Sequence, residues 1–248
     1  MEIISFYILN IIVGAVLAVV LGIYGAHVIA RGKTMEIVLL GQTIQVGILF
    51  GVIINALVFS DHNDHGLHLE IIVSVVFTII LFGIYERITK SRKFSKTPVL
   101  VLIYTVLLAL SYLVVAASPL VESHMVKAFL GDIVTASKSE LQLVLVVAVA
   151  ALIFYWKKKK EILLQRFDLS LFSHLPTSKG KSLYWVFNII VLCLMIYSIH
   201  VLGIVFTLCM MILPITVVQF SNFSLSQLMK FTYIASPTSV VVGFILNI

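Results

Sequence analysis

The amino-acid sequence predicts an all-α protein, a polytopic bundle of about eight membrane-spanning helices. Of its 248 residues, 61% are hydrophobic and only 11% are charged, whereas a soluble domain carries about 25% charged residues. Long apolar runs also follow one another along the whole chain, with short polar segments between them. These two observations exclude an ordinary soluble enzyme, a disordered chain and a fibrous protein.

Eight apolar runs are interpreted as spans, since a helix needs about 20 mostly apolar residues to cross a bilayer. Helices are expected because lipid cannot satisfy backbone polar groups and no alternating barrel pattern occurs. The first run starts almost at Met1 without a basic segment, so it is interpreted as a span and not as a cleavable signal peptide. The predicted spans are 3–30, 36–59, 71–86, 98–117, 141–156, 183–201, 203–219 and 231–248.

The run 183–219 is too long for a single crossing. Gly203 is the expected point of reversal between two spans, and Pro214 can kink the second of them. The region 118–140 is interpreted as an outer loop that separates the fourth and fifth spans.

Basic residues predict the orientation. Of the 17 Lys and Arg residues, all except Lys127 and Lys138 fall in loops on one side of the predicted topology. By the positive-inside rule that side is the cytoplasm, which places both termini outside the cell and the protein in the cell (inner) membrane. The whole chain, 1–248, is taken as one transmembrane domain whose longest cytoplasmic segment is 157–182. No GxxxxGK[ST] phosphate loop occurs, so energy from ATP would require another chain.

The loop between the second and third predicted spans is rich in potential metal ligands. Three imidazoles and three carboxylates within ten residues suit zinc, manganese or iron. The alternative is a hydrated loop whose histidines are ordinary surface groups. The candidate metal ligands are Asp61, His62, Asp64, His65 and His68, and Glu70 closes the loop.

Four polar side chains inside apolar spans are candidates for a transport pathway. His27 and His200 are ionisable groups, which are costly in a membrane and usually face the bundle interior or a wet cavity. Gln42 and Gln45 are three residues apart and therefore share a helix face. The alternatives are neutral imidazoles bonded to a neighbouring helix and amides that hold helices together. No HExxH, GxSxG or paired intramembrane aspartates occur, so the chain is not expected to be an enzyme.

Several segments, taken in order, resemble the permease subunits of manganese/zinc/iron ABC importers. Residues 25–31 and 40–51 are similar to that family's first span and its LGDALSHAxLPG helix. Residues 129–141 resemble its FGDILxVSxxDL element, and Arg166-Phe167-Asp168 resembles the start of its cytoplasmic coupling segment. Residues 201–214, which end in Pro214, resemble VVGILLVxALLILP.

The resemblance implies a permease with a type II ABC importer fold. It also implies a homodimer in the lipid bilayer, driven by two cytoplasmic ATP-binding subunits and supplied by an extracytoplasmic metal-binding protein. No permanently bound cofactor is expected, nor a nucleic-acid partner, and the residues leave zinc, manganese and iron open as cargo. We expect residues 166–176 to form an amphipathic helix that docks into the ATPase. Its coupling residues are Asp168, Leu171, Phe172 and His174.

The sequence also departs from the family pattern. Where the family's second helix has Asp and, four residues on, His, this chain has Gln42 and Val46. The chain also stops about one span before the family pattern does. These departures leave open a degenerate membrane subunit that no longer transports. An ion-coupled secondary transporter is the other alternative, supported only by the ionisable His27 and His200 inside spans.

Overall fold

The computed structural model describes residues 2–58, 66–90, 96–117, 119–131, 136–167, 177–220 and 225–247. Within these residues the chain forms eight helices and no strand, which confirms the all-α prediction. The helices are α1 (Glu2–Ala30), α2 (Thr34–Val58), α3 (Gly66–Lys90), α4 (Lys96–Ala117), α5 (Pro119–Leu130), α6 (Lys138–Phe167), α7 (Thr177–Phe220) and α8 (Leu225–Asn247).

Six helical segments in the described part of the chain are long and apolar enough to cross a membrane. Five coincide with the first five predicted spans, and the sixth, Ser182–Val217, covers both of the next two. The last predicted span falls in α8, which is not among the six. The predicted count of eight is thus not confirmed, whereas an integral membrane protein is. The six segments are Ile8–Ala30, Thr34–Leu57, Leu69–Thr89, Lys96–Ala117, Lys138–Ile162 and Ser182–Val217.

Helix α7 is interrupted at Gly203, as the sequence predicts. The backbone of Gly203 has φ 78° and ψ 165°, far from helical values. The hydroxyls of Ser198 and Thr207 lie 2.7 Å apart across this point. Nine residues of straight α-helix would advance the chain by about 13 Å. The chain therefore bends sharply at Gly203.

The chain divides into two compact units, neither of which is continuous in sequence. The first unit contains residues 1–33, 133–194 and 209–248, and in it α1 packs against α6 and α8. A Cβ atom on Gly25 would lie 2.7 Å from the Cα of Met211, so the two backbones touch. The prediction of a single transmembrane domain stays a prediction.

The second unit contains residues 34–132 and 195–208, and α2 is its central helix. Helix α2 packs against α3, α4 and α5. Of its span, 72% is buried, against 17% for the α3 span. The step Gly47–Gly51 lets α3 approach closely, because a Cβ on Gly51 would lie 2.6 Å from the Cα of Glu70. Small residues in this step thus permit close helix packing.

Helix α5 occupies part of the region 118–140, for which the sequence predicts an outer loop. It is only 12 residues long and mixes polar with apolar side chains, so no spanning signal marks it. Gly131, which follows it, has φ 82°. A Cβ on Gly131 would lie 2.9 Å from the Gly203 nitrogen, and a Cβ on Gly203 would lie 2.8 Å from the Phe129 oxygen. Two segments that carry the family resemblance are therefore in contact.

Helix α6 is longer than the predicted fifth span. It continues to Phe167 instead of ending near 156. Arg166 and Phe167 are therefore the last residues of α6 and do not begin a separate helix. The rest of the predicted docking helix, from Asp168 on, lies outside the described residues.

Candidate functional site

Helix α2 carries a buried polar row in the second unit. Gln42 and Gln45 are 2% and 1% exposed. The Gln42 amide nitrogen lies 3.5 Å from the Ser111 hydroxyl of α4. Ser111 in turn donates to the carbonyl of Leu108 at 2.7 Å. Gln42 is thus linked to α4, which is the arrangement expected of an amide that holds two helices together.

Gln45 differs from Gln42, because its side-chain oxygen is buried with no hydrogen-bond partner among the described residues. An unpaired buried acceptor costs about 1–3 kcal/mol. Gln45 lies about 40° around the α2 axis from Gly41. A Cβ on Gly41 would be 3.3 Å from Ile204 and 3.3 Å from Leu208. Gln45 is therefore next to the face that packs on segment 195–208, and its oxygen is available to a water or a cation.

His200 lies beside a carboxylate that the sequence analysis had assigned to a loop. Its Nδ1 is 3.9 Å from Oε2 of Glu70, and the two side chains are 14% and 13% exposed. Glu70 precedes the predicted third span by one residue, but α3 already begins at Gly66. The close contact at Gly51 brings this turn of α3 against α2. A carboxylate and an imidazole are both ligands for divalent transition metals.

His27 belongs to the first unit and is 1% exposed. Its Nε2 lies 3.5 Å from the Tyr155 hydroxyl. The His27 ring is 5.5 Å from the Tyr155 ring and 6.4 Å from the Phe187 ring. Tyr24 donates to the carbonyl of Ala151 at 2.9 Å. This geometry favours an imidazole packed between helices, and the transport role of His27 stays a prediction.

Two basic residues that follow α1 contact aromatic side chains near the start of α7, within the first unit. The guanidinium carbon of Arg31 lies 4.6 Å from the centre of the Phe187 ring. Lys33 donates to the Tyr184 hydroxyl at 3.1 Å. Burial lowers the pKa of Arg31 from its ordinary value, and Tyr184 acts electrostatically in the opposite direction. Arginine stays charged in proteins, so the contact between Arg31 and Phe187 is a cation–π contact.

The remaining predicted site residues fall outside what the structure describes. Among the candidate metal ligands these are Asp61, His62, Asp64 and His65. His68 lies in the first turn of α3, but its side chain is outside the described set. The coupling residues outside it are Asp168, Leu171, Phe172 and His174. Within the described residues, no group of three or more His, Cys, Asp or Glu side chains is placed to hold a metal ion.

The comparisons with known proteins identify the family. The sequence model of the ABC 3 transport family matches residues 4–248. A solved structure described as "PsaBC from Streptococcus pneumoniae in complex with Fab" has the same fold, with a TM-score of 0.75 and 18% identity. That match covers 100% of this chain and 88% of the other. No curated protein matches significantly. Because the family match omits only the first three residues, the chain belongs to the ABC 3 transport family and is the membrane permease of a metal ABC transporter.

Proposed function

We propose that the chain is the transmembrane permease subunit of an ABC transporter that imports zinc, manganese or iron. The match to the ABC 3 transport family over residues 4–248 carries the proposal. A separate cytoplasmic ATP-binding subunit drives import, and an extracytoplasmic metal-binding protein delivers the ion. The working permease is a homodimer in the cell membrane, with both termini on the outer side.

The ion path in this proposal follows the face of α2 that carries Gln45 and continues toward His200. The buried, unpaired oxygen of Gln45 supports this path. Burying a polar group without a hydrogen bond costs free energy, and a water or an ion in the path would remove that cost. Amide oxygens bind transition metals more weakly than carboxylates or imidazoles do. A path lined by amides therefore passes an ion quickly. Selection then falls to the segment 61–70 and the delivery protein.

The length of α6 supports energy coupling on the cytoplasmic side. Its 30 residues extend about 45 Å, whereas the hydrocarbon core of a bilayer is about 30 Å thick. Lys157, Lys159 and Lys160 are exposed near its end, and Lys158 pairs with Glu161 at 2.7 Å. The charged end of α6 thus projects beyond the lipid and carries the chain toward the segment 168–176, where the ATPase would dock.

A degenerate, non-transporting subunit is the second candidate, and one observation favours it. Helix α2 offers neither an acid nor an imidazole at the positions where the family has them. Gln42 is linked to Ser111 instead, and Val46 packs in an apolar cluster with Leu39 and Leu107. The family match disfavours the ion-coupled secondary transporter, because that class needs no ATPase.

Metal content of cells grown with scarce metal tests the proposal. Deletion cells should lose one of zinc, manganese or iron, and expression of the intact chain should restore it. A chain with Gly83→Ala, where nothing lies within 4 Å of the added methyl group, should restore it equally well. Normal contents of all three metals in deletion cells would favour the non-transporting subunit.

A further inference from the structure

We propose that Glu70 and His200 together form a binding site for the divalent cation that the permease transports. The inference rests on the proposed function and adds a carboxylate that the sequence-based pathway lacked. It places the acid and the imidazole on α3 and α7 in this chain, and not on α2. The class of ligand is a transition-metal dication that accepts both nitrogen and oxygen donors.

The separation of the two side chains fits a shared ion better than a direct bond. Nδ1 of His200 and Oε2 of Glu70 are 3.9 Å apart. A hydrogen bond to a carboxylate oxygen would bring them to about 2.7–3.2 Å. Two donors that each lie about 2.1 Å from one tetrahedral metal are about 3.4 Å apart, and donors on opposite sides of a metal are about 4.2 Å apart. The observed separation lies between these two values, so a shared ion requires a shift of about 0.5 Å or less.

The helix end and the burial around Glu70 and His200 favour a positive charge between the two side chains. His200 lies in the last turn of α7 before the backbone leaves helical geometry at Gly203. The carbonyl end of a helix carries a partial negative charge, which stabilises cations within the last turn. Both side chains are mostly buried, so water screens these interactions less than it would at the surface.

The close approach of α2 and α3 holds Glu70 in position at this site. Glu70 reaches this position because Gly51 has no side chain, and a Cβ there would lie 2.6 Å from the Glu70 Cα. A site built on few protein donors suits an ion that must leave again. The imidazole favours zinc or iron over calcium and magnesium, which prefer oxygen donors, and the carboxylate of Glu70 also suits manganese.

Metal titration of the purified permease tests the pair. The chain would carry His62→Ala, His65→Ala and His68→Ala, so that the histidines that precede Glu70 in the sequence cannot bind the added metal. Zinc, manganese or cobalt chloride is then titrated, with thermal unfolding and the cobalt absorption spectrum as readouts. Glu70→Gln and His200→Gln should each raise the dissociation constant by at least about tenfold. The matched control is Glu86→Gln, an exposed carboxylate on the same helix.

Several outcomes would overturn the inference. One is a dissociation constant in both variants within about twofold of the control. Another is a change in metal-free stability without any change in metal binding, which would make the pair a structural ion pair. Should the variants fail to fold, carbethoxylation of His200 in the native chain replaces them. Bound metal should slow that reaction, and an unchanged rate refutes the pair.

The failure of this inference is distinguishable from failure of the proposed function. If deletion cells keep normal metal contents while Glu70→Gln abolishes binding, the import function is wrong and the binding pair stands. If cells need the protein for metal and Glu70→Gln binds normally, only the pair is wrong.

Discussion

Replacing Gly203 with alanine should destabilise the permease strongly. At φ 78° and ψ 165° the residue occupies a region that is almost restricted to glycine, and a side chain there costs about 1–3 kcal/mol of strain. The new Cβ would also lie 2.7 Å from the Leu130 carbonyl carbon and 2.8 Å from the Phe129 oxygen. These are backbone atoms that cannot rotate away, so overpacking adds about 1–3 kcal/mol. The expected loss is therefore about 2–6 kcal/mol.

Thermal unfolding of the purified protein in detergent measures this loss. A chain of this size shifts by about 2–4 °C per kcal/mol, so the unfolding temperature should fall by at least about 4 °C. Gly83→Ala is the matched control, because nothing lies within 4 Å of its added methyl group. In that helical position alanine should be neutral or stabilising by up to about 1 kcal/mol.

A double variant shows whether the strain comes from the contact itself. Gly131→Ala strains the same contact from the other side, since its Cβ would lie 2.9 Å from the Gly203 nitrogen. Once one methyl group has pushed the segments apart, the second should cost less, so the two losses should not add. Equal unfolding temperatures for Gly203→Ala and Gly83→Ala would refute the reasoning, and strict additivity would refute the shared contact.

Three further outcomes are expected. Replacing Gln42 and Gln45 together with leucine should abolish metal uptake at normal expression, because the α2 face of the path then offers no oxygen donor; normal uptake would make both amides purely structural. A cysteine at Lys157 should react with impermeant thiol reagents only in inverted vesicles, and labelling of intact cells would reverse the topology. Aspartate at both Leu171 and Phe172 should abolish co-purification of the ATPase while the permease still inserts, and retained co-purification would exclude this docking helix.

The sequence alone was sufficient to predict the all-α class of the fold and the main break in its helices. Membrane helices are marked by long apolar runs whatever they pack against, so the first five spans and the break at Gly203 could be predicted from residue order alone. Helix α5 could not, because twelve mixed residues carry no spanning signal. The end of α6 was also missed, since the hydrophobic run stops near Trp156 while the helix continues through charged residues.

The candidate site was only partly predictable for a different reason. A polar residue inside an apolar run is visible in the sequence, which identified His200, Gln42 and Gln45. The partner of such a residue is not visible, because it is set by packing between distant segments. Glu70 is 130 residues away from His200 and lay just outside a predicted span. The sequence offered one indication that Glu70 belongs to the site, namely that its carboxylate directly precedes an apolar run.

The contacts of α1 have a consequence for how the protein is made. Tyr24 bonds to Ala151, which follows it by 127 residues. At about 5–20 residues per second the ribosome needs roughly 6–25 s to supply that partner. Helix α8, which also packs on α1, is made later than α6. Until these helices have been made, α1 lies in the bilayer or the insertion machinery without its partners. His27 and Asn10, which are buried in the finished protein, are then not yet covered by the neighbouring helices. Helix α1 thus reaches its native surroundings long after it has itself been made.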